Sequence, residues 1–229
     1  MPRPHAQHRG QQRRYGAWLA LTALVLTLAI PQAMAGGRLW EVLREGKTAG
    51  HVFATMHLDD PAVTALPAPL VRALTQADRL LLEVRLDPAA MAEYARRIWL
   101  PPEADLGALL SADMLARYEA IAGEYGLGAT RARSLRPWAA SNLIARPPPS
   151  GRPVLDEVLL AWAVERNLPA DGLESMAELL DALSGMSRAD QVAILEDTIA
   201  GHDEIMAQVD ALRRHYLAGD LGALLALTG

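Results

Sequence analysis

Two titratable residues lie at the ends of short, strand-like segments of the chain. His57 ends the run Phe53-Ala-Thr-Met-His57, and Glu83 lies near the end of the apolar run Leu80-Leu-Leu-Glu-Val84. In α/β sheets, ligands usually bind in the crevice beyond the carboxyl ends of the strands. If the two segments are parallel neighbours, His57 and Glu83 converge on one metal ion or one water molecule.

Both residues also have an ordinary structural explanation. Burying an unpaired charge is costly, so Glu83 would need a partner, and Arg85 or Arg136 could form an ion pair with it. His57 could contact solvent or a backbone carbonyl at the end of its strand. The residues alone leave the site and the structural explanation open.

Three other histidines of the region after residue 35 give weaker signals. His51 is predicted to lie on the same strand face as His57 but roughly 20 Å away, at ~3.3 Å per residue, and is expected at the surface. The run His202-Asp-Glu204 resembles a metal site in composition, but adjacent helical residues point in different directions, so a helix-start cap or a solvated face is favoured. His215 receives the same interpretation. The sequence contains no HExxH, GxSxG, glycine-rich phosphate loop or Rossmann fingerprint.

The first 35 residues have the pattern of a secretory signal. Residues 1–16 carry four arginines and no acid, Ala17 to Ile30 is an apolar run, and small residues precede the cut expected after Ala35. An uncleaved anchor would need about 20 apolar residues, whereas this run is shorter and ends at Pro31. We therefore expect a signal peptide at 1–35, a domain at 36–229, a periplasmic or secreted protein, and no stable membrane span after cleavage.

Composition excludes several classes of function. Without the leader, 18 basic and 27 acidic groups remain, a formal charge of −9. A phosphate-binding surface needs clustered positive charge, so no nucleic-acid partner is expected. The absence of cysteine excludes disulfides, zinc-thiolate sites and thiol catalysis.

The hydropathy pattern predicts a helix-rich α/β protein. Strands are predicted near 38–43, 49–57 and 79–84, with a weaker candidate at 168–173. Helical periodicity dominates from 88 to 217 and is interrupted by the proline-rich segment 146–153. We expect a small mixed sheet, built from the N-terminal strands and covered by several helices.

An ordered set of short segments extends across residues 36–229. They are Leu39-Trp-Glu-Val42, Phe53-Ala-Thr-Met-His57, Leu66-Pro-Ala-Pro69, Ala77-Asp78, Leu81-Leu-Glu-Val84, Leu135-Arg-Pro-Trp138, Leu155-Asp156, Gly172-Leu-Glu-Ser175 and Gly219-Asp-Leu221. In order and spacing, this set resembles the TraB/GumN family, bacterial relatives of the Tiki metalloproteases.

The resemblance implies a metal-dependent hydrolase, peptidase-like, that acts on a peptide or small-molecule substrate. The family site uses the histidine of a first Gly-x-x-His motif, a glutamate on the following strand and a second Gly-x-x-His motif. His57 and Glu83 match the first two and would be metal ligands, or a ligand and a general base, for a divalent ion of unknown identity.

The sequence departs from the family pattern in two places. Ala54 replaces the motif glycine, and no Gly-x-x-His occurs anywhere in the chain. The family domain is therefore expected to be truncated at its C-terminal end, with self-association through an open sheet edge. Catalytic zinc usually has three protein ligands, so the alternative is a non-catalytic binding or interaction protein, or a truncated gene product.

Overall fold

A computed structural model describes residues 37–228, so the predicted signal segment 1–35 lies outside the described residues. The larger of its two compact units is Leu39–Asp210, and the smaller one includes Arg38 and the residues from Ala211 onward. The described chain is mixed α/β and rich in helix, as predicted.

Four strands form two separate two-stranded sheets within the described residues. Strands β1 (Leu39–Arg44) and β2 (Lys47–Phe53) form an antiparallel hairpin. Its two-residue turn, Glu45-Gly46, has positive φ angles of 54° and 75°, as tight hairpin turns require. Strands β3 (Leu80–Val84) and β4 (Ala170–Glu174) pair in parallel.

The second predicted strand ends earlier than expected. It was predicted to reach His57, but β2 ends at Phe53 and residues 54–60 are irregular. The predicted single sheet is also wrong, because the hairpin and the β3–β4 pair form two separate sheets among the described residues.

Helices occupy most of the remaining chain. They are α1 (Pro61–Thr64), α2 (Ala68–Gln76), α3 (Pro88–Arg97), α4 (Ala112–Glu124), α5 (Ala129–Arg133), α6 (Pro137–Ile144), α7 (Leu155–Glu165), α8 (Met176–Ser184), α9 (Arg188–Ala200), α10 (His202–Ala218) and α11 (Leu221–Thr228). The proline-rich segment 146–153 is irregular, as predicted.

Capping residues explain why many of these helices begin where they do. The side chains of Asp60, Asp87, Ser111, Ser175 and Ser187 each accept a hydrogen bond from a backbone N–H in the first turn that follows. These N–H groups have no partner within the helix, so a side-chain acceptor stabilises the first turn.

The core of the larger unit lies among its helices. Its largest fully buried side chains include Tyr118, Ile144, Leu155 and Leu195. The buried Tyr118 hydroxyl donates to the Ala132 carbonyl at 3.1 Å, so this polar group is not left unsatisfied. Leu155 is the first residue of α7 and is fully buried, so the start of this helix is packed against the rest of the larger unit.

In the smaller unit, residues near the start of the described chain contact residues near its end. The Gly37 N–H donates to the Gly219 carbonyl at 3.2 Å, and the Arg38 guanidinium lies over the Tyr216 ring at 4.5 Å, a cation–π contact. Within residues 37–228, no helix combines the length and the apolar character that a membrane span requires.

Candidate functional site

His57 lies in the irregular segment that follows β2. The Leu58 N–H donates to the Met56 carbonyl at 2.8 Å, which turns the chain beside His57. Asp59 accepts a hydrogen bond from the Ser150 N–H at 2.5 Å. The segment is therefore tied to the proline-rich stretch at 146–153.

Two carboxylates flank the His57 ring on opposite nitrogens. Nε2 lies 3.8 Å from Oε2 of Glu83, and Nδ1 lies 2.8 Å from Oδ2 of Asp156. The predicted meeting of His57 and Glu83 is therefore present, although His57 is not on a strand. The exposed fractions of the side chains are 53% for His57, 47% for Glu83 and 5% for Asp156.

Asp156 reaches His57 from the first turn of α7. Its Oδ1 accepts a hydrogen bond from Thr55 Oγ1 at 3.3 Å. Oδ2 accepts no hydrogen bond of good geometry among the described residues, and its contact there is the 2.8 Å approach of His57 Nδ1. The positive end of a helix dipole favours a carboxylate in this first turn.

The surroundings of His57 raise its pKa above the ordinary value of 6.5. The contact with the Asp156 carboxylate is the largest cause, and burial acts in the opposite direction. The negative charges of Asp156 and Glu83 raise the pKa further, whereas the Arg146 charge lowers it. The protonated imidazole is favoured because two anions face it and one cation opposes them.

Glu83 is one of two exposed residues in β3, where buried and exposed side chains alternate. Its neighbours Leu82 and Val84 are buried at 4% and 8%, so Glu83 points away from the core. Neither arginine expected as a partner forms an ion pair with it, and Arg85 instead contacts Asp87 at 3.4 Å. Its ion pair among the described residues is with His57.

The donor set fits a divalent cation in part. Two metal–ligand bonds of about 2.0–2.2 Å can span the 3.8 Å between His57 Nε2 and Glu83 Oε2. The Asp156 carboxylate lies beside Nδ1 of His57. In metal sites, a carboxylate commonly holds the ring nitrogen of a histidine that does not bind the metal. Residues 37–228 contain no group of three His, Cys, Asp or Glu side chains placed to hold a metal.

A cavity of about 510 Å³ lies beyond the carboxyl ends of β3 and β4. Its lining includes Val84, Arg85, Gly172 and Glu174, but neither His57 nor Glu83. The side chains of His57 and Glu83 are about half exposed, so chemistry at His57 would take place at the open surface.

The remaining histidines lie elsewhere. His51 is exposed, as expected. His202 begins α10, which agrees with the first of the two predicted alternatives, a helix start. Its side chain is buried, at 9% exposure, and its Nδ1 lies 3.0 Å from the Ile144 carbonyl. The His215 side chain is 37% exposed, and its Nδ1 lies 3.9 Å from Oδ2 of Asp220.

Asp156 was not predicted as a site residue. The available signal was a pair of acids, Asp156 and Glu157, between Leu155 and the apolar residues that follow, and acids are ordinary in the first turn of a helix. A buried carboxylate needs a partner, but the sequence does not say that this partner is His57.

One family model matches the chain, that of the TraB/PrgY/gumN family, over residues 38–228. Comparisons with curated proteins and with solved structures gave no match. The matched range includes His57, Glu83 and Asp156.

Proposed function

The chain belongs to the TraB/PrgY/gumN family, and on this premise we propose that it is an exported, metal-dependent hydrolase of the peptidase type with an incomplete ligand set. The observation that carries the proposal is the contact chain Glu83–His57–Asp156, with separations of 3.8 and 2.8 Å. A peptide or a small molecule with a hydrolysable carbonyl is the proposed substrate.

His57 and Glu83 are the proposed metal-binding residues. Nε2 is the coordinating atom of His57 because Nδ1 faces Asp156. Glu83 acts as a second ligand, or as a general base that takes a proton from water. A divalent ion held by His57 and Glu83 would supply a water of lowered pKa and would polarise the substrate carbonyl.

A non-catalytic binding protein is the second candidate. It is favoured by the absence, among the described residues, of a three-ligand metal group, since catalytic zinc usually has three protein ligands. In that case His57 and Glu83 bind a ligand or cation without turnover.

Calorimetric titration of the purified chain with Zn²⁺ and Mn²⁺ tests the metal site. We expect stoichiometric binding that His57→Ala abolishes and Glu83→Gln weakens. His51→Ala is the matched control, because it removes an exposed histidine from the neighbouring hairpin, and it should bind as the parent does. Binding that survives His57→Ala would contradict the site.

Hydrolysis of a fluorogenic peptide library by the same variants separates the two candidates. Turnover that requires both His57 and Glu83 supports the hydrolase. Stoichiometric metal binding without turnover of any library member supports the binding protein.

Mass spectrometry of the exported protein tests the proposed location. We expect a periplasmic or secreted product that begins at Gly36. A product that begins at Met1 in the membrane fraction would contradict cleavage after Ala35.

A further inference from the structure

Asp156 is the most buried of the three charged side chains at the site. Its side chain is 5% exposed, whereas those of His57 and Glu83 are about half exposed. Its partners, Thr55 at 3.3 Å and His57 at 2.8 Å, both belong to the irregular segment after β2. A buried carboxylate is costly to leave unpaired, so these two side chains compensate its burial.

The Asp156 contact also determines which nitrogen of His57 is available. An ionised carboxylate attracts and accepts protons but donates none, so the proton of the neutral imidazole is favoured on Nδ1, which lies 2.8 Å from Oδ2. In the neutral ring, Nε2 then carries the lone pair, and Nε2 is the atom on the Glu83 side.

We propose that Asp156 is a positioning residue that holds His57 in the Nδ1–H tautomer with Nε2 available beside Glu83, and that Thr55 positions Asp156 in turn. This inference rests on the proposed function in one respect, because the purpose of the available Nε2 is to bind a cation or accept a proton. The arrangement itself is a property of the protein without metal or substrate.

The competing explanation is that Asp156 merely ties α7 to the segment after β2. Such a tie would affect folding but would not depend on which His57 nitrogen carries the proton. Asp156→Asn separates the two explanations, because the amide can donate to Nδ1 and thereby favour the Nε2–H tautomer, which has no lone pair on the Glu83 side.

Nitrogen-15 NMR of the purified, metal-free chain at a pH above the His57 pKa tests the proposal directly. We expect Nδ1–H in the parent, with the His57 signals assigned by their loss in His57→Ala. Asp156→Asn should shift the ring toward Nε2–H, whereas Asp156→Glu should retain Nδ1–H. An Nε2–H tautomer in the parent, or no change in Asp156→Asn, would overturn the proposal.

Asp59→Asn is the matched control. Asp59 also ties the His57 segment to another part of the fold, through the Ser150 N–H, but it does not contact the imidazole within the described structure. It should leave the tautomer unchanged even if it lowers the thermal midpoint.

Zinc affinity gives a second readout. Loss of an orienting partner typically weakens metal binding 10- to 100-fold, so Asp156→Asn should show a loss of that size. Thr55→Val, which removes only the contact to Oδ1, should show a smaller one. If the parent binds no metal but has the Nδ1–H tautomer, the proposed function fails while the positioning role stands.

Discussion

At the scale of single residues, the carboxylate of Glu174 lies near two other negative charges, those of Glu83 and Glu178. The pKa of Glu174 is raised by its partial burial and by the negative charges of Glu83 and Glu178. For an acid, a raised pKa in the folded state means that ionisation opposes folding. The stability lost in this way is regained as the pH falls through the raised pKa toward the ordinary value of 4.5.

Glu174→Gln should therefore stabilise the protein at pH 7. We expect a gain of about 0.5 kcal/mol in the free energy of unfolding, the scale of exposed charge pairs, and no gain near pH 4, where the parent carboxyl is protonated. Urea unfolding at the two pH values measures it. Glu165→Gln, an exposed control on α7, should show no such pH-dependent gain, and equal gains in both variants would refute the explanation.

The sequence predicted His57 and Glu83 but not Asp156, and the reason is physical. A charge in an apolar run and a histidine after a strand-like run are local anomalies, visible within a few residues. The hydrogen bond that joins Thr55 to Asp156 connects residues 101 positions apart, and no local pattern encodes that pairing. The family resemblance included Leu155-Asp156 but assigned it no role.

At the scale of elements, local residues encode where several helices begin. Asp87 with Pro88, Ser111, Ser175 and Ser187 are local signals for a first turn, and each precedes an observed helix. The end of β2 was mispredicted because strand formation depends on a distant partner. Thr55 and His57 instead hydrogen-bond or ion-pair with Asp156 on α7.

The capping box at the start of α8 allows a test of how much a capping side chain stabilises the first turn of a helix. Ser175 Oγ accepts from the Glu178 N–H at 3.2 Å, and Glu178 accepts from the Ser175 N–H at 2.8 Å. Ser175→Ala should cost about 1 kcal/mol of unfolding free energy at pH 7, measured by urea unfolding. Ser150→Ala, a control in an exposed irregular segment, should cost much less.

The Glu178 half of the box adds a pH dependence. The hydrogen bonds from Ser175 hold the pKa of Glu178 below its ordinary value of 4.5. Its contribution to stability is therefore present above pH 4.5 and is lost as the pH falls through the lowered pKa. A cost of Ser175→Ala that does not shrink at acidic pH would contradict the reciprocal hydrogen bonds.

At the scale of the whole molecule, the parallel pair of strands is only partly covered. Parallel sheets are usually packed on both faces, yet Leu81 on β3 and Leu173 on β4 are 49% and 74% exposed. Neither β3 nor β4 has a second strand neighbour among the described residues. Unpaired strand edges beside exposed leucines favour pairing with another chain.

We therefore expect concentration-dependent self-association through the β3–β4 sheet. The partner would be a second copy of this chain, and Glu83 and Asp171, which share this region with the leucines, would repel their counterparts. Because salt screens such repulsion while apolar contact persists, the mass measured by light scattering should increase with both protein concentration and ionic strength. Leu173→Asp should return the protein to a monomer, whereas Val164→Asp, at a site 63% exposed on α7, should not. A parent that stays monomeric at high concentration and high salt would rule out this interface.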